Sequence, residues 1–242
     1  MLDPAIPLPA QGRTFSARRR IRLADVDPRG RVRLDALARL LQDVAIDDVQ
    51  ETGWGTPAHL WFVRRIRIDV HEPFRGDGEI RLVTWSSGVA AIAAGRRWSV
   101  EGDRGGRAEV DSIWIHLGPD QRPARIKGFG VYEEASGGRH VSTKLELPGP
   151  PAAASGSPWP MRATDFDRHG HVNNAVHWQA VEHALAGRGL DPAAPLVAEL
   201  DYREPIDPGD EIELVSALEG EALLTTLRTS GAVKAVARVR AR

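Results

Sequence analysis

Apolar side chains recur at helical spacing between residues 34 and 50, where Leu37, Leu41 and Val44 fall on successive turns and Asp48 ends the same row. The period returns in Val176, Ala180, Val181, Ala184 and Leu185. After each helical stretch the pattern shifts to short runs bounded by Gly, Pro and Asp, which read as strands. In the first half these are WFVRRIRIDV, EIRLVTW, GRRWSVEG and AEVDSIWIHL; in the second they are PLVAELDYR, EIELVSAL, ALLTTLRT and AVKAVARVR. The order strand, helix, then about four strands is thus predicted twice.

The turn before each helix is repeated as well. ADVDPRGRVRLDALARLLQDVA (24–45) set against TDFDRHGHVNNAVHWQAVEHAL (164–185) pairs Asp25 with Asp165, Asp27 with Asp167, Gly30 with Gly170 and Val32 with Val172 at one offset. EPFRGDGEI (72–80) likewise resembles EPIDPGDEI (204–212). Between the halves, Pro, Gly, Ala and Ser crowd residues 148–158 and mark a linker. A long early helix with several strands buries its stripe by lying on the concave face of a curved antiparallel sheet. The expected fold is therefore α+β: two tandem hotdog domains at 1–138 and 158–242, joined by a linker at 139–157. Such a pair imitates a dimer within one chain and leaves a further homodimer open.

Composition narrows the function classes. The formal net charge of -1 gives no global field toward nucleic acid or an anionic membrane. No cysteine is present, which removes disulfides, thiolate metal sites and a cysteine nucleophile. The opening MLDPAIPLPAQGR lacks the charged start and apolar run of a signal peptide. No stretch approaches the ~18 apolar residues of a membrane span. A soluble, cytoplasmic protein is expected.

The second-half turn DRHGHVNN resembles the D-x-N-x-H-V-N-N motif of the acyl-acyl carrier protein thioesterases, which are tandem hotdog enzymes. LDYRE (200–204) is similar to that family's acidic strand, and LLQDVAIDDVQETGW with TWSSGVAAIAAGRRWSVEGDRGGRAEVDSIWIHL is similar to its long helix and its T-W, R-R and W segments. The likeness spans most of residues 15–240. It implies hydrolysis of a fatty acyl thioester without a cofactor, on acyl carrier protein or on CoA; a module that binds acyl chains without cleaving them stays open beside these. It places Asp167 and His171 on the catalytic Asp and His, and Glu204 near the catalytic Glu. His169 stands where the family has a catalytic Asn.

Thioester chemistry fits such a turn. Thiols ionise at about 8.5, so the leaving group needs little acid assistance. The reaction needs an oriented, deprotonated water and dipoles where the carbonyl oxygen becomes negative. Asp167, helped by His171 or Glu204, would activate the water. Gly170 permits close backbone approach, Asn173 or Asn174 caps the helix, and free N–H groups at its start face the thioester oxygen. His169 can donate and accept as an amide does, although imidazole also titrates near neutral pH. His169 and His171, even with His177 and His183, make no recognised zinc pattern, so no metal is expected; the latter two read as helix-surface residues.

The first copy carries Arg29 and Arg31 where the second has His169 and His171. Arginine keeps its proton, so that turn is expected to be catalytically silent. Its half would house the acyl chain, with Trp54 and the apolar face of helix 34–50 as lining. Arginines 18–20 and 96–97 read as solvated strand positions or as a landing face for an acidic carrier.

Overall fold

The structure is a computed structural model that describes residues 7–56, 59–151, 153–187 and 191–242; residues 1–6 of the opening segment lie outside them. In the first half β1 (Thr14–Arg20), α1 (Leu34–Glu51), β2 (Leu60–Glu72), β3 (Glu79–Val89), β4 (Ala93–Gly102), β5 (Arg107–Leu117) and a short α2 (Val131–Ser136) follow one another. The second half supplies β6 (Gly156–Pro158), α3 (Asn174–Ala186), β7 (Leu196–Tyr202), β8 (Glu213–Glu219), β9 (Ala222–Arg228) and β10 (Val233–Ala241). All ten strands form one antiparallel sheet in the order β1-β3-β4-β5-β2-β7-β10-β9-β8-β6.

The two halves meet at β2 and β7, whose register sets Arg65 opposite Asp201. Alternation along β7 explains why all of it is buried. Ala198, Leu200 and Tyr202 join the apolar core under the helices, while Asp201 faces the back of the sheet. There Arg65 donates from Nε to Asp201 Oδ1 (2.5 Å) and from Nη2 to Oδ2 (3.1 Å). Backbone N–H of Leu147 donates to the same carboxylate, and Arg203 holds the Leu147 carbonyl. The Pro- and Gly-rich connection therefore runs pinned across the seam.

On the other face α1 and α3 pack against each other and the sheet. Leu37, Leu41 and Val44 of the predicted stripe are buried, each contributing about 1.5–3 kcal/mol of burial free energy. Asp48, the polar end of that row, is buried too, because Arg96 Nη1 (2.6 Å) and Arg13 Nε (2.5 Å) reach its carboxylate. This corrects the expectation for residues 96 and 97. Arg96 is interior, and Arg97 is 1% exposed beside Asp111 on the opposite face of β4. Arg18 and Arg20 do lie exposed along β1.

The repeated turns match in conformation as well as in sequence. Short 3-10 turns at Leu23–Asp25 and Ala163–Asp165 are closed by Arg22 N–H to Asp25 and Arg162 N–H to Asp165. Each leads into a bridge, Val26 with Val32 and Phe166 with Val172, around a glycine at positive φ, +79° at Gly30 and +82° at Gly170. Among the described residues no helix is long and apolar enough to cross a membrane.

Candidate active site

The turn before α3 is held by its own backbone. Asp167 N–H donates to the His171 carbonyl (3.0 Å), and Gly170 N–H donates to the Asp167 carbonyl (3.0 Å). The Asp167 carboxylate accepts from His169 N–H at Oδ1 (2.8 Å) and from the Asn173 amide at Oδ2 (3.4 Å). Asn173 is the helix cap, accepting from Ala175 N–H (2.9 Å). The helix start is fixed from beneath: buried Tyr202 donates its hydroxyl to the Asn174 carbonyl (3.0 Å) and accepts from Trp178 Nε1 (3.0 Å). Burial pushes the Tyr202 phenol far up, so it stays a neutral donor.

Asp167, Arg168, His169 and Asn174 form one wall of a cavity of ≈ 160 Å³ whose other walls belong to the first half. Gln42, Ala45, Ile46 and Val49 of α1, Ala94 to Arg96 of β4, and His59, Trp61 and Phe129 line the remainder. Asp167 of one repeat thus lines a space, part apolar and part polar, built by the other. Trp54 is absent from this lining; it stands behind, 4.8 Å from Phe129 and 6.2 Å from Trp61 between ring centroids.

The other expected residues are placed differently. His171 does not turn to Asp167; its Nδ1 meets Asp207 Oδ1 at 2.6 Å. Glu204 lies exposed, 4.0 Å from Lys234 Nζ, and is not part of the cavity. Gly170 serves the turn through its φ and has open space around it. His177, expected on the helix surface, is buried, donates toward the Asn173 carbonyl (3.3 Å) and packs edge-on to Tyr202. Burial lowers its pKa to about 4, so it is neutral there. His183 is exposed.

Three polar groups at the cavity escaped the sequence reading. Gln42 Oε1 and Ser86 Oγ are buried without hydrogen-bond partners. His59 joins His116 through Nδ1 to Nε2 at 3.0 Å, and His116 Nδ1 lies 2.9 Å from the Ala124 carbonyl. A carbonyl only accepts, so His116 carries its proton on Nδ1, receives one from His59 Nδ1, and leaves His59 Nε2 an acceptor. Burial and then the His116 ring hold His59 below the usual imidazole range, consistent with that neutral form. Among the described residues no group of three or more metal-ligating side chains occurs.

The first copy places its counterpart residues around a second cavity with Asp27, Arg29, Arg31 and Glu182 in its walls. Here Arg31 fills the turn. It donates from Nε to Asp27 (3.0 Å) and from Nη1 and Nη2 to Glu182 (2.9 and 2.6 Å). Burial opposes ionisation of Asp27, but the Arg31 hydrogen bonds prevail and keep it ionised below the usual carboxylate range. A carboxylate so engaged is unavailable as a base.

The same architecture is found in a putative oleoyl thioesterase of Lactobacillus plantarum (TM-score 0.80, 19% identity, covering 97% of this chain and 99% of that one). It recurs in the 12:0-ACP thioesterase of Umbellularia californica (TM-score 0.73, 16% identity, 95% and 97%). The protein is a thioester hydrolase with the sheet-and-helix fold of the hotdog-like thioesterases. More narrowly, the chain belongs to the acyl-ACP thioesterase family, whose N-terminal domain matches residues 12–128 and whose C-terminal domain matches residues 150–238. Relatives in sequence include an uncharacterized protein of Mycobacterium tuberculosis, 29% identical over 85% of this chain and 83% of that one. The chloroplastic oleoyl-acyl carrier protein thioesterase 1 of Arabidopsis thaliana is 24% identical over 88% of this chain and 66% of that one.

Proposed function

We propose that this protein hydrolyses fatty acyl thioesters presented on acyl carrier protein, with Asp167 as the base. The observation that carries the reading is the single cavity shared by Asp167, His169 and Asn174 of one half and the apolar face of α1 of the other. One carboxylate oxygen of Asp167 is engaged by the turn, while the other has only a long contact and can take a proton from water. Water oxygen then bonds to the thioester carbon as the carbonyl pair moves onto oxygen near the start of α3. Return of that pair breaks the C–S bond, and the thiolate takes the proton that Asp167 held. His171, fixed by Asp207, is a positioning group at the far side of the turn, and the reaction needs no contribution from Glu204.

Each half is read as one hotdog unit, 1–138 and 158–242, with 139–157 as the connection; the matched turns and mirrored strand orders support this division. Membership in the family and the names of its plant relatives favour acyl carrier protein as the carrier. Arg168, exposed beside His169 on the cavity wall, suits the phosphate of the carrier's prosthetic arm. The test is thiol release from octanoyl-ACP and octanoyl-CoA by purified protein. Faster turnover of the ACP substrate is expected; no turnover of either would reject the reading.

A further inference from the structure

The two cavities are built crosswise, each from the turn of one half and the helix of the other. The offset that pairs Asp27 with Asp167 also pairs Arg29 with His169, Leu34 with Asn174 and, on the facing helices, Glu182 with Gln42. Glu182 and Gln42 both line their cavities.

In the first-copy cavity the Glu182 carboxylate accepts from the backbone N–H of Leu34, the first residue of α1, at 2.6 Å. An anionic oxygen thus sits on a helix-start N–H, where the unsatisfied donors and the macrodipole favour negative charge. That oxygen occupies the place of an oxyanion. In the second-copy cavity the corresponding N–H, that of Asn174, has no acceptor among the described residues. Gln42, the counterpart of Glu182, lines the same cavity as Asn174, and its Oε1 is buried and unpartnered. A half-turn of the terminal amide exchanges oxygen for NH2, so the same position can present a donor.

We propose that Gln42 is a catalytic residue supplied by the first half: its amide N–H and the Asn174 backbone N–H together hold the thioester oxygen and the oxyanion formed from it. This rests on the reading of Asp167 as the base of a thioester hydrolase. It also explains why the two halves differ in charge at this position. A carboxylate at residue 42 would fill the oxyanion place itself, as Glu182 does opposite Leu34, and would repel the developing charge. A neutral amide leaves the place open and adds a donor.

The test compares wild type with Gln42→Met and Gln42→Glu on octanoyl-ACP, with folding checked by thermal melting. Gln42→Met, close in volume, is expected to lower kcat by about 100-fold or more with KM little changed, the size of loss typical for one oxyanion donor. Gln42→Glu is expected to be inactive at neutral pH and to regain turnover as pH falls and the new carboxyl is protonated, a rise that Gln42→Met does not show. In a 15N-labelled Gln42→Glu sample the Asn174 amide proton should move downfield as it gains a carboxylate acceptor. If Gln42→Met does not fold, the pH response and amide shift of Gln42→Glu decide. Unchanged kcat in either folded variant, or a loss confined to KM, would overturn the assignment while leaving the hydrolase reading in place. A wild type inactive on both ACP and CoA thioesters would overturn both.

Discussion

His171 gives its Nδ1 to Asp207 at 2.6 Å rather than facing Asp167, although its own carbonyl accepts from the Asp167 backbone. The contact ties the turn before α3 to the corner after β7. The Asp207 carboxylate accepts from Nδ1 and so fixes the orientation of the ring. His171→Ala should lower kcat through Asp167, by about 10-fold or more, because the turn that aims the Asp167 carboxylate loses its tie to Asp207. Asp207→Asn should lower it less, since the ring survives and only its orientation loosens. Equal losses in steady-state assays would show that Asp207 acts directly.

Asp167→Asn should abolish turnover and leave the melting temperature nearly unchanged. Asp27→Asn is expected to do the reverse, because that carboxylate is occupied in anchoring buried Arg31. Its loss is expected to cost about 1–3 kcal/mol in denaturant unfolding, the range for a weakened buried hydrogen bond. A marked loss of kcat in folded Asp27→Asn would mean that the first-copy turn is not silent.

The contrast between these aspartates was legible in the sequence, since the repeat shows arginine against histidine two and four residues on. The long helices, the turn glycines and the Asn173 cap were legible for the same reason: each is fixed by neighbours a few residues away. What failed to show were partners brought close by the sheet. Asp207 is 36 residues from His171, and Asp48 is 48 residues from Arg96. A charge on a strand therefore read as solvated. His177 is a different case: it reads as a surface residue although Val181 and Ala184 of the apolar stripe lie one and two turns on, a period that by itself points inward.

His169→Asn should retain near wild-type kcat/KM. The side chain is exposed, its one side-chain contact is a long one to Arg168, and its tie to Asp167 runs through the backbone N–H, which asparagine keeps. A loss approaching that of Asp167→Asn would make the imidazole the base.

The cavity at ≈ 160 Å³ is smaller than the range of about 300–1,000 Å³ usual for larger ligands. Among hexanoyl-, octanoyl- and oleoyl-ACP, the shorter substrates should therefore give the higher kcat/KM. Val49→Ala, which trims the α1 wall, should move the optimum toward longer chains. An oleoyl optimum in wild type, unmoved by Val49→Ala, would show that the acyl chain lies elsewhere.

His177 sets an acid limit on stability. Its folded pKa of about 4, produced by burial against a weaker opposing bond to the Asn173 carbonyl, lies below the ordinary 6.5. Between those values the unfolded chain binds the proton and the native ring does not, so unfolding free energy rises with pH there. The stabilisation is complete above pH 6.5 and is lost as pH falls toward 4. At about 1.4 kcal/mol per pH unit the span amounts to about 3 kcal/mol. His177→Leu keeps an apolar occupant against Tyr202 and removes the proton site. Urea unfolding at a series of pH values should therefore give a shallower acid slope in the variant than in wild type. Identical slopes would mean that His177 is protonated without opening the core beneath the Asn174 helix start.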